Sequence, residues 1–323
     1  MVTGSEAPGL ALRISLTERC QLHCRYCRPL LGREPEPATE VLPTVDLVRF
    51  VRVACKAFGV AKVHLTGGEP LMRRDVVEVV RDLAKLGIPD LALTTNGQRL
   101  AALARPLQAA GLHRVNVSLD SLAPETFSRL TLGGKLQRTL DGLAAARRAG
   151  LRPLRINTVV MRGINDHEAE AIVDFALARG FEARFIELMS SGLAPADHRR
   201  WFVSSAEVRA RLAKHFAMVP EPIEPGLSSR RWRIDSAKVR GLVGFISPHS
   251  EPFCDGCRRL RLTADGRLVG CLGRPEYVRL ARLLRARNSG SDERVVAAMR
   301  AALACKRGAG AFAVPLPMSS VGG

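Results

Sequence analysis

The chain has 323 residues, 46% of them hydrophobic, which is enough for a sizeable core in one large domain or two smaller ones. Its 49 Lys and Arg against 31 Asp and Glu give a formal charge of +18, which favours anionic partners such as nucleotide phosphates, nucleic acid or acidic membranes. Aromatic residues make up only 5%, so stacking platforms for nucleic acid are scarce and a nucleic-acid partner is not expected. No apolar run approaches the roughly 20 residues that cross a bilayer, and the first residues lack the pattern of a signal peptide, so we expect a cytoplasmic protein with no membrane partner.

Strands and helices alternate along the first two thirds of the chain. The apolar patterns predict strands at Leu12–Leu16, Lys62–Thr66, Leu91–Thr95, Arg114–Leu119, Arg155–Val160 and Phe181–Leu188, with helical stretches between them. Thr44 is expected to cap the first helix. This alternation indicates an α/β fold with a parallel sheet, and six units predict an incomplete (βα)6 barrel of the TIM type.

The last third of the chain has shorter elements. Pro220–Pro225 reads as a connector, so we place a boundary there, with a partial barrel at 1–219 and a smaller C-terminal α+β domain at 220–323. Short strands are predicted at Arg231–Ile234, Leu242–Ile246, Arg259–Leu262 and Leu268–Gly270. Asp265-Gly266 predicts a hairpin turn between the last two strands, and a helix is expected at Glu293–Ala304.

Six of the eight cysteines fall into two spaced trios. Cys20, Cys24 and Cys27 form C-x3-C-x2-C just after the first strand, and Cys254, Cys257 and Cys271 form C-x2-C-x13-C. In the cytosol such clusters indicate metal ligands rather than disulfides. Three thiolates on a cubane iron–sulfur cluster leave one iron open for a cofactor or substrate. The alternative for the first trio is a zinc knuckle with His23 as fourth ligand.

The first trio carries a resemblance to a known family. Cys20-Gln-Leu-His-Cys24-Arg-Tyr-Cys27 resembles the signature of radical S-adenosylmethionine enzymes, and Thr66-Gly67-Gly68-Glu69-Pro70 resembles their second-strand motif. In those enzymes S-adenosylmethionine chelates the open iron and is cleaved to a 5′-deoxyadenosyl radical. The resemblance implies a [4Fe-4S] cluster on the first trio and contacts to S-adenosylmethionine from Tyr26, Gly68, Ser118 and Met189.

The second trio narrows the resemblance. Together with Arg258-Arg259-Leu260-Arg261 it is similar to the C-terminal cluster of the GTP 3′,8-cyclases of molybdenum cofactor biosynthesis, in which a second [4Fe-4S] cluster holds the guanine base. Arg259 and Arg261 alternate on a predicted strand and therefore point to one face, and guanidinium groups suit phosphate oxygens. The resemblance implies cyclisation of GTP to (8S)-3′,8-cyclo-7,8-dihydroguanosine 5′-triphosphate, a lyase reaction. The implied GTP contacts are Arg13, His64, Thr95, Arg155, Arg259, Leu260 and Arg261.

The resemblance also implies an external one-electron reductant and a downstream pterin-precursor synthase, and it leaves a homodimer open. Two departures qualify it: His64 stands where the family usually has Arg, and Arg155 stands where it usually has Lys. The final Gly322-Gly323, in contrast, is a family trait. Two rival hypotheses remain at this point: another two-cluster radical enzyme that acts on a peptide or a different nucleotide, and a non-catalytic, metal-dependent RNA-binding protein suggested by the charge.

Overall fold

The structure, a computed structural model, describes residues 9–27, 41–190, 193, 195–223, 227–254, 256–274, 276–286 and 288–306. The Gly322-Gly323 tail and most of the expected linker at Gly32–Pro43 lie outside these residues.

Six parallel strands form the centre of the sheet in the order in which they occur in the chain. They are β1 (Leu10–Ser15), β2 (Val60–Thr66), β3 (Asp90–Thr95), β4 (Arg114–Ser118), β5 (Arg155–Val160) and β6 (Glu182–Glu187). The helices between them are α1 (Thr44–Phe58), α2 (Val76–Ala84), α3 (Leu100–Ala109), α4 (Pro124–Thr131), α5 (Leu136–Arg148) and α6 (Ala169–Leu177). Short 3-10 turns lie at Pro70–Met72 and Asp166–Glu168. The predicted incomplete (βα)6 barrel is confirmed.

The C-terminal strands extend both edges of this sheet. On the β6 side lie β9 (Arg240–Ile246), β8 (Arg230–Asp235) and β7 (Met218–Pro220), and on the β1 side lie β10 (Arg259–Leu262), β11 (Arg267–Val269) and β12 (Tyr277–Arg279). The remaining helices are α7 (Pro195–Trp201), α8 (Ser205–Leu212), α9 (Ala281–Arg285) and α10 (Ser291–Ala304).

Within the described residues the C-terminal strands therefore share one twelve-stranded sheet with the barrel instead of forming a sheet of their own. A six-stranded partial barrel leaves unpaired N–H and C=O groups along β1 and β6, and parallel pairing with β10 and β9 satisfies them. The boundary at residue 220 stays a prediction.

Three local expectations have clear outcomes. The hairpin at Asp265-Gly266 is confirmed, since β10 and β11 pair antiparallel and Gly266 has a φ of +84°. The expected Thr44 cap is wrong: Pro43 occupies the N-cap position, and the Thr44 hydroxyl instead donates to Asp75 Oδ2 (2.5 Å). Helix α8 was missed, although Ser204 and Glu207 form a capping box that the sequence displays as Ser-x-x-Glu.

Alternation along the strands separates an apolar exterior from a polar lumen. On β1, Leu10, Leu12 and Ile14 are buried in the hydrophobic core, whereas the intervening Arg13 lines a central cavity. On β10, Leu260 and Leu262 are core residues, while Arg259 and Arg261 line the same cavity. The interior of the barrel is thus a basic channel.

No helix in the described part of the chain is long and apolar enough to cross a bilayer.

Arg49 connects the first helix to the last two. Its Nη1 donates to Leu284 O (2.8 Å) and Leu283 O (3.3 Å), and its Nη2 donates to Asp292 Oδ1 (2.6 Å). The guanidinium thereby bonds backbone carbonyls of α9 and a carboxylate of α10 from its position on α1.

We expect Arg49→Met to lower the free energy of unfolding by about 2 kcal/mol, because several half-buried acceptors lose a charged donor. Urea unfolding of the protein measures this. Arg52→Met, an exposed position on the same helix, is the matched control and should change stability little. Equal stability of the two variants would contradict the docking role of Arg49.

Candidate active site

The two cysteine trios lie at opposite ends of the parallel strands. Cys20, Cys24 and Cys27 follow β1 and so lie beyond its carboxyl end. Cys254 and Cys257 precede β10, which runs parallel to β1, and Cys271 follows the antiparallel β11. All three of these therefore lie at the amino end of β1. All six thiols nevertheless line one cavity of about 640 Å³, which runs through the lumen between the two ends.

The six thiols are free to act as metal ligands. All six are free, partly buried cysteines, so neither trio is closed by a disulfide. Among the described residues, no three His, Cys, Asp or Glu side chains converge as they would around one metal ion, which gives the zinc knuckle with His23 no support. The corners of a cubane lie further apart than the ligands of one ion, and each trio supplies three of the four corners.

Gly67 and Gly68 hold the first trio in place by contact with the loop that carries it. Gly68 N donates to Thr17 O (2.7 Å), and Glu69 N donates to Arg19 O (2.8 Å). A Cβ on Gly68 would lie 2.5 Å from Arg19 O, and one on Gly67 would lie 2.3 Å from Thr17 O. Gly67 also has a φ of +143°, which favours glycine. Both glycines are therefore required by backbone packing beneath the cysteine loop.

Glu69 connects the segment after β2 to the carboxyl end of β3. Its carboxylate accepts hydrogen bonds from Leu71 N (3.0 Å), Thr95 Oγ1 (2.8 Å) and Asn96 N (2.7 Å). Burial raises the pKa of Glu69 to about 7, against these hydrogen bonds, which lower it. Asn96 in turn donates through Nδ2 to Cys20 Sγ (3.7 Å), so the carboxylate supports the residue that contacts the first trio.

Tyr26 ties the first trio to the strand ends on the other side. Its hydroxyl donates to Asp120 Oδ2 (2.6 Å), while Val159 N donates to Asp120 Oδ1 (2.9 Å). Burial raises the pKa of Asp120 to about 6, against the hydrogen bonds from Tyr26 and Val159. The loop is thus anchored to the ends of β4 and β5.

The four residues predicted to contact S-adenosylmethionine all line the cavity. They are Tyr26, Gly68, Ser118 and Met189. Each lies at or beyond the carboxyl end of a strand, or in the first cysteine loop, so the structure brings them together around the first trio. Their ligand roles stay predictions.

Three arginines form a guanidinium cluster, defined here as Arg13, Arg259 and Arg261. On β10, Arg261 lies opposite Arg13 of β1. Arg259, two residues earlier on β10, lies opposite Ala11 and nearer the second trio. Arg261 is buried, and its Nη1 has no hydrogen-bond partner among the described residues. Within the same residues no carboxylate forms an ion pair with Arg259 or Arg261.

Burial and mutual repulsion disfavour the positive charges of this cluster. Burial, together with Arg259, lowers the pKa of Arg13 to about 9. Burial and the two neighbouring guanidinium groups hold the pKa of Arg261 well below its usual range. Like charges crowded in a desolvated site need an anion, and a polyphosphate supplies several negative oxygens at once.

His64 continues this face of the lumen on β2, next to Arg13 in the strand register. It is buried, and Nε2 shares a hydrogen bond with Thr94 Oγ1 (2.7 Å). Burial and Arg13 hold the pKa of His64 well below its usual value. The side chain is therefore neutral near pH 7 and offers hydrogen bonds rather than the charge of an arginine.

Arg155 also lines the cavity, but part of its guanidinium group is bound to the carboxylate of Glu182. Arg155 Nε donates to Glu182 Oε2 (2.9 Å), and Arg184 Nε donates to Glu182 Oε1 (2.6 Å). A second ion pair joins Arg114 to Asp90 (2.7 Å) across neighbouring strands. On this side of the lumen carboxylates compensate part of the arginine charge, in contrast to the guanidinium cluster.

Two further predicted residues occupy unexpected surroundings. Thr95 lines the cavity on the side of the first trio, where its hydroxyl is held by Glu69. Leu260 is fully buried in the hydrophobic core between Arg259 and Arg261, so only its backbone could take part in the site.

Sequence reasoning missed several basic residues of the lumen. Lys62, Arg114, Arg184 and Lys306 all line the cavity. The signal for the first two was the strand alternation: Lys62 lies two residues before His64, and Arg114 lies four before Ser118, so each faces the same way as a predicted site residue. No local pattern pointed to Lys306.

Family models match almost the whole described chain. The model of the radical SAM superfamily matches residues 14–176, and the one described as Molybdenum Cofactor Synthesis C matches residues 181–312. Individual relatives are similar to this chain over most of their own length. A protein named GTP 3′,8-cyclase from Marinobacter nauticus is 42% identical over 85% of this chain and 82% of its own length. One of the same name from Paenarthrobacter nicotinovorans is 42% identical over 87% and 82%.

The fold has solved counterparts. The crystal structure of Streptococcus suis SuiB bound to S-adenosylmethionine superposes with a TM-score of 0.64 at 17% identity, covering 85% of this chain and 64% of that chain. At this level of identity the likeness concerns the fold.

We expect Gly68→Ala to reduce iron incorporation from about eight to about four atoms per chain, because the added methyl group displaces the loop of the first trio. Iron and sulfide analysis after anaerobic reconstitution measures this. Gly163→Ala is the matched control: its φ is +67°, but no atom lies within 4 Å of the added Cβ, so it carries backbone strain without collision. Full iron content in Gly68→Ala would show that the loop tolerates the methyl group.

Proposed function

The chain belongs to the GTP 3′,8-cyclase family of radical S-adenosylmethionine enzymes, and on that premise we propose that it cyclises GTP inside the lumen between its two cysteine trios. The product is (8S)-3′,8-cyclo-7,8-dihydroguanosine 5′-triphosphate, and the reaction is the first step of molybdenum cofactor biosynthesis. The observation that carries the proposal is the placement of two thiol trios at the two ends of one cavity, whose wall also holds Arg259 and Arg261 with no carboxylate ion pair to either among the described residues.

The cofactors are two [4Fe-4S] clusters and S-adenosylmethionine. Cys20, Cys24 and Cys27 would hold the first cluster, and Cys254, Cys257 and Cys271 the second. When bound, the first cluster supplies the electron that cleaves S-adenosylmethionine, and the second holds the guanine base. The chain keeps the two sites in one lumen, so the ribose of a GTP fixed at one end is presented to the other.

The guanidinium cluster gives the triphosphate its binding energy and direction. Arg13 and Arg261 lie at the same level of adjacent strands, and Arg259 lies nearer the second trio. A triphosphate bound there lies along β1 and β10, so the nucleoside is positioned between the trios. Arg155 would offer the part of its guanidinium that Glu182 leaves unbound.

The neutral His64 lacks the positive charge of the arginine that the family usually has at this position, but it can still form hydrogen bonds. Its bond to Thr94 fixes the ring, and one ring nitrogen remains to meet a phosphate or ribose oxygen. We therefore propose that His64 binds GTP by hydrogen bonding and that the guanidinium cluster carries the charge.

The comparisons favour this proposal over both rivals from the sequence. The relatives that cover most of the chain are named as cyclases, so a non-catalytic RNA-binding role has no support from them. We further propose that the enzyme acts in the cytoplasm, takes electrons from an external one-electron reductant and passes its product to a pterin-precursor synthase. We also propose that two copies of the chain can associate as a homodimer.

Anaerobic reconstitution with iron and sulfide, followed by incubation with S-adenosylmethionine, a reductant and GTP, tests the function. The expected result is about eight irons per chain and a product with the mass of GTP whose C3′–C8 bond is located by fragmentation or NMR. Cofactor cleavage with no change in GTP, ATP or any other purine triphosphate would favour an enzyme acting on a peptide. Bound zinc without iron would end the proposal.

We expect Arg261→Met to weaken GTP binding by about 10- to 100-fold, the equivalent of about 1.5–3 kcal/mol for a charged hydrogen bond. The same variant should raise the melting temperature of the GTP-free protein. The sign follows from the lowered pKa of Arg261: the folded state disfavours its charged form relative to the unfolded state, so removing the charge removes that cost at neutral pH.

Equilibrium binding of GTP and thermal unfolding without GTP measure these two effects. Arg240→Met is the matched control, since its side chain is 79% exposed and outside the cavity lining, and it should change neither quantity appreciably. Unchanged GTP affinity in Arg261→Met would contradict the phosphate role.

A further inference from the structure

Lys306 contacts the second cysteine trio directly. It lies two residues past the end of α10. Its ammonium donates to Cys257 Sγ (3.3 Å) and to the carbonyl oxygen of Arg259. The side chain is half-buried and lines the same cavity as both trios. A thiol in the loop before β10 and a carbonyl oxygen at the first residue of β10 thus fix the position of this charge.

The end of α10 is itself held against the second trio. A Cβ on Gly270, which directly precedes Cys271, would lie 2.1 Å from Ala302 O. Val295, Met299 and Ala302 bury the inner face of α10 in the core. The last turn of the helix therefore touches the backbone beside Cys271, while Lys306 reaches Cys257.

This arrangement has an electrostatic consequence. The carboxyl end of a 14-residue helix carries partial negative charge, which disfavours further negative charge nearby. A thiolate-bound cluster is such a charge, and it becomes more negative when reduced. The ammonium of Lys306, two residues past the end of α10 and in contact with Cys257, offsets both.

We propose that Lys306 is a positioning residue that acts through Cys257 to raise the reduction potential of the cluster on the second trio. The proposal rests on the proposed function, because it requires a [4Fe-4S] cluster there. Hydrogen bonds to cluster sulfurs and local charge are among the factors that set such potentials. A charged donor stabilises the reduced cluster more than the oxidised one, since the reduced cluster has the greater negative charge.

The test is an EPR-monitored redox titration of the reconstituted holoenzyme. Lys306→Met should make reduction of the second cluster about tenfold less favourable, a downward shift of about 59 mV for a one-electron couple. Lys306→Arg, which keeps a charged donor, should stay close to the unsubstituted protein. The potential of the first cluster in the same sample is an internal control and should not move.

Arg300→Met is the matched control for loss of one positive charge, because Arg300 is an exposed residue on the same helix. It should leave both potentials unchanged. If Lys306→Met fails to assemble the second cluster, Lys306→Gln keeps an N–H donor without the charge and should also lower the potential, by a smaller amount than tenfold.

The outcomes separate the two proposals. About four irons in the unsubstituted protein would refute the proposed function itself. About eight irons with an unchanged second potential in Lys306→Met and Lys306→Gln would refute the role of Lys306 and leave the cyclase function standing. An equal shift in Arg300→Met would also refute it, because the effect would then be one of net charge alone.

Discussion

The parallel register between β10 and β1 is the constraint on which the site depends. It places Arg261 beside Arg13 and turns both side chains into the lumen, and it sets the direction of β10 so that Cys254 and Cys257 enter at the amino end of β1. The first trio leaves β1 at the other end. A register slip of one residue would move Arg259 and Arg261 into the core and Leu260 into the cavity. The same pairing also covers one of the two open edges of the partial barrel.

Burying arginine charge in the lumen lowers the stability of the fold but creates a binding site for an anion. Arg114 pairs with Asp90, and Arg155 and Arg184 share Glu182, so carboxylates compensate part of the charge on that side of the channel. The guanidinium cluster has no such partner for Arg259 and Arg261 among the described residues, and burial penalises its charge. This asymmetry lies around the wall of the channel: a polyanion is drawn to the side formed by β1 and β10, while the side formed by β3 to β6 remains polar and preorganised.

The glycine pair Gly67-Gly68 has a packing role that the motif by itself did not reveal. In the structure their missing side chains admit the carbonyls of Thr17 and Arg19, so the motif from β2 locks onto the cysteine loop from β1. Glu69 extends the same unit to Asn96, which contacts Cys20. The loop that presents the first trio is therefore rigid because three strand ends pack together beneath it.

The sequence by itself determined the partial barrel, the six cysteines and some of the residues that line the lumen, because strand periodicity and cysteine spacing are local properties of the chain. It could not determine that β9 and β10 close onto β6 and β1, since the pairing partner of a strand is a long-range choice. Nor did it reveal the compensation of Arg155 by Glu182, the neutrality of buried His64 or the approach of Lys306 to Cys257. Those features depend on burial and on neighbours distant in the chain, and the pKa of a group and its hydrogen-bond partners are set only when the tertiary structure removes water around it.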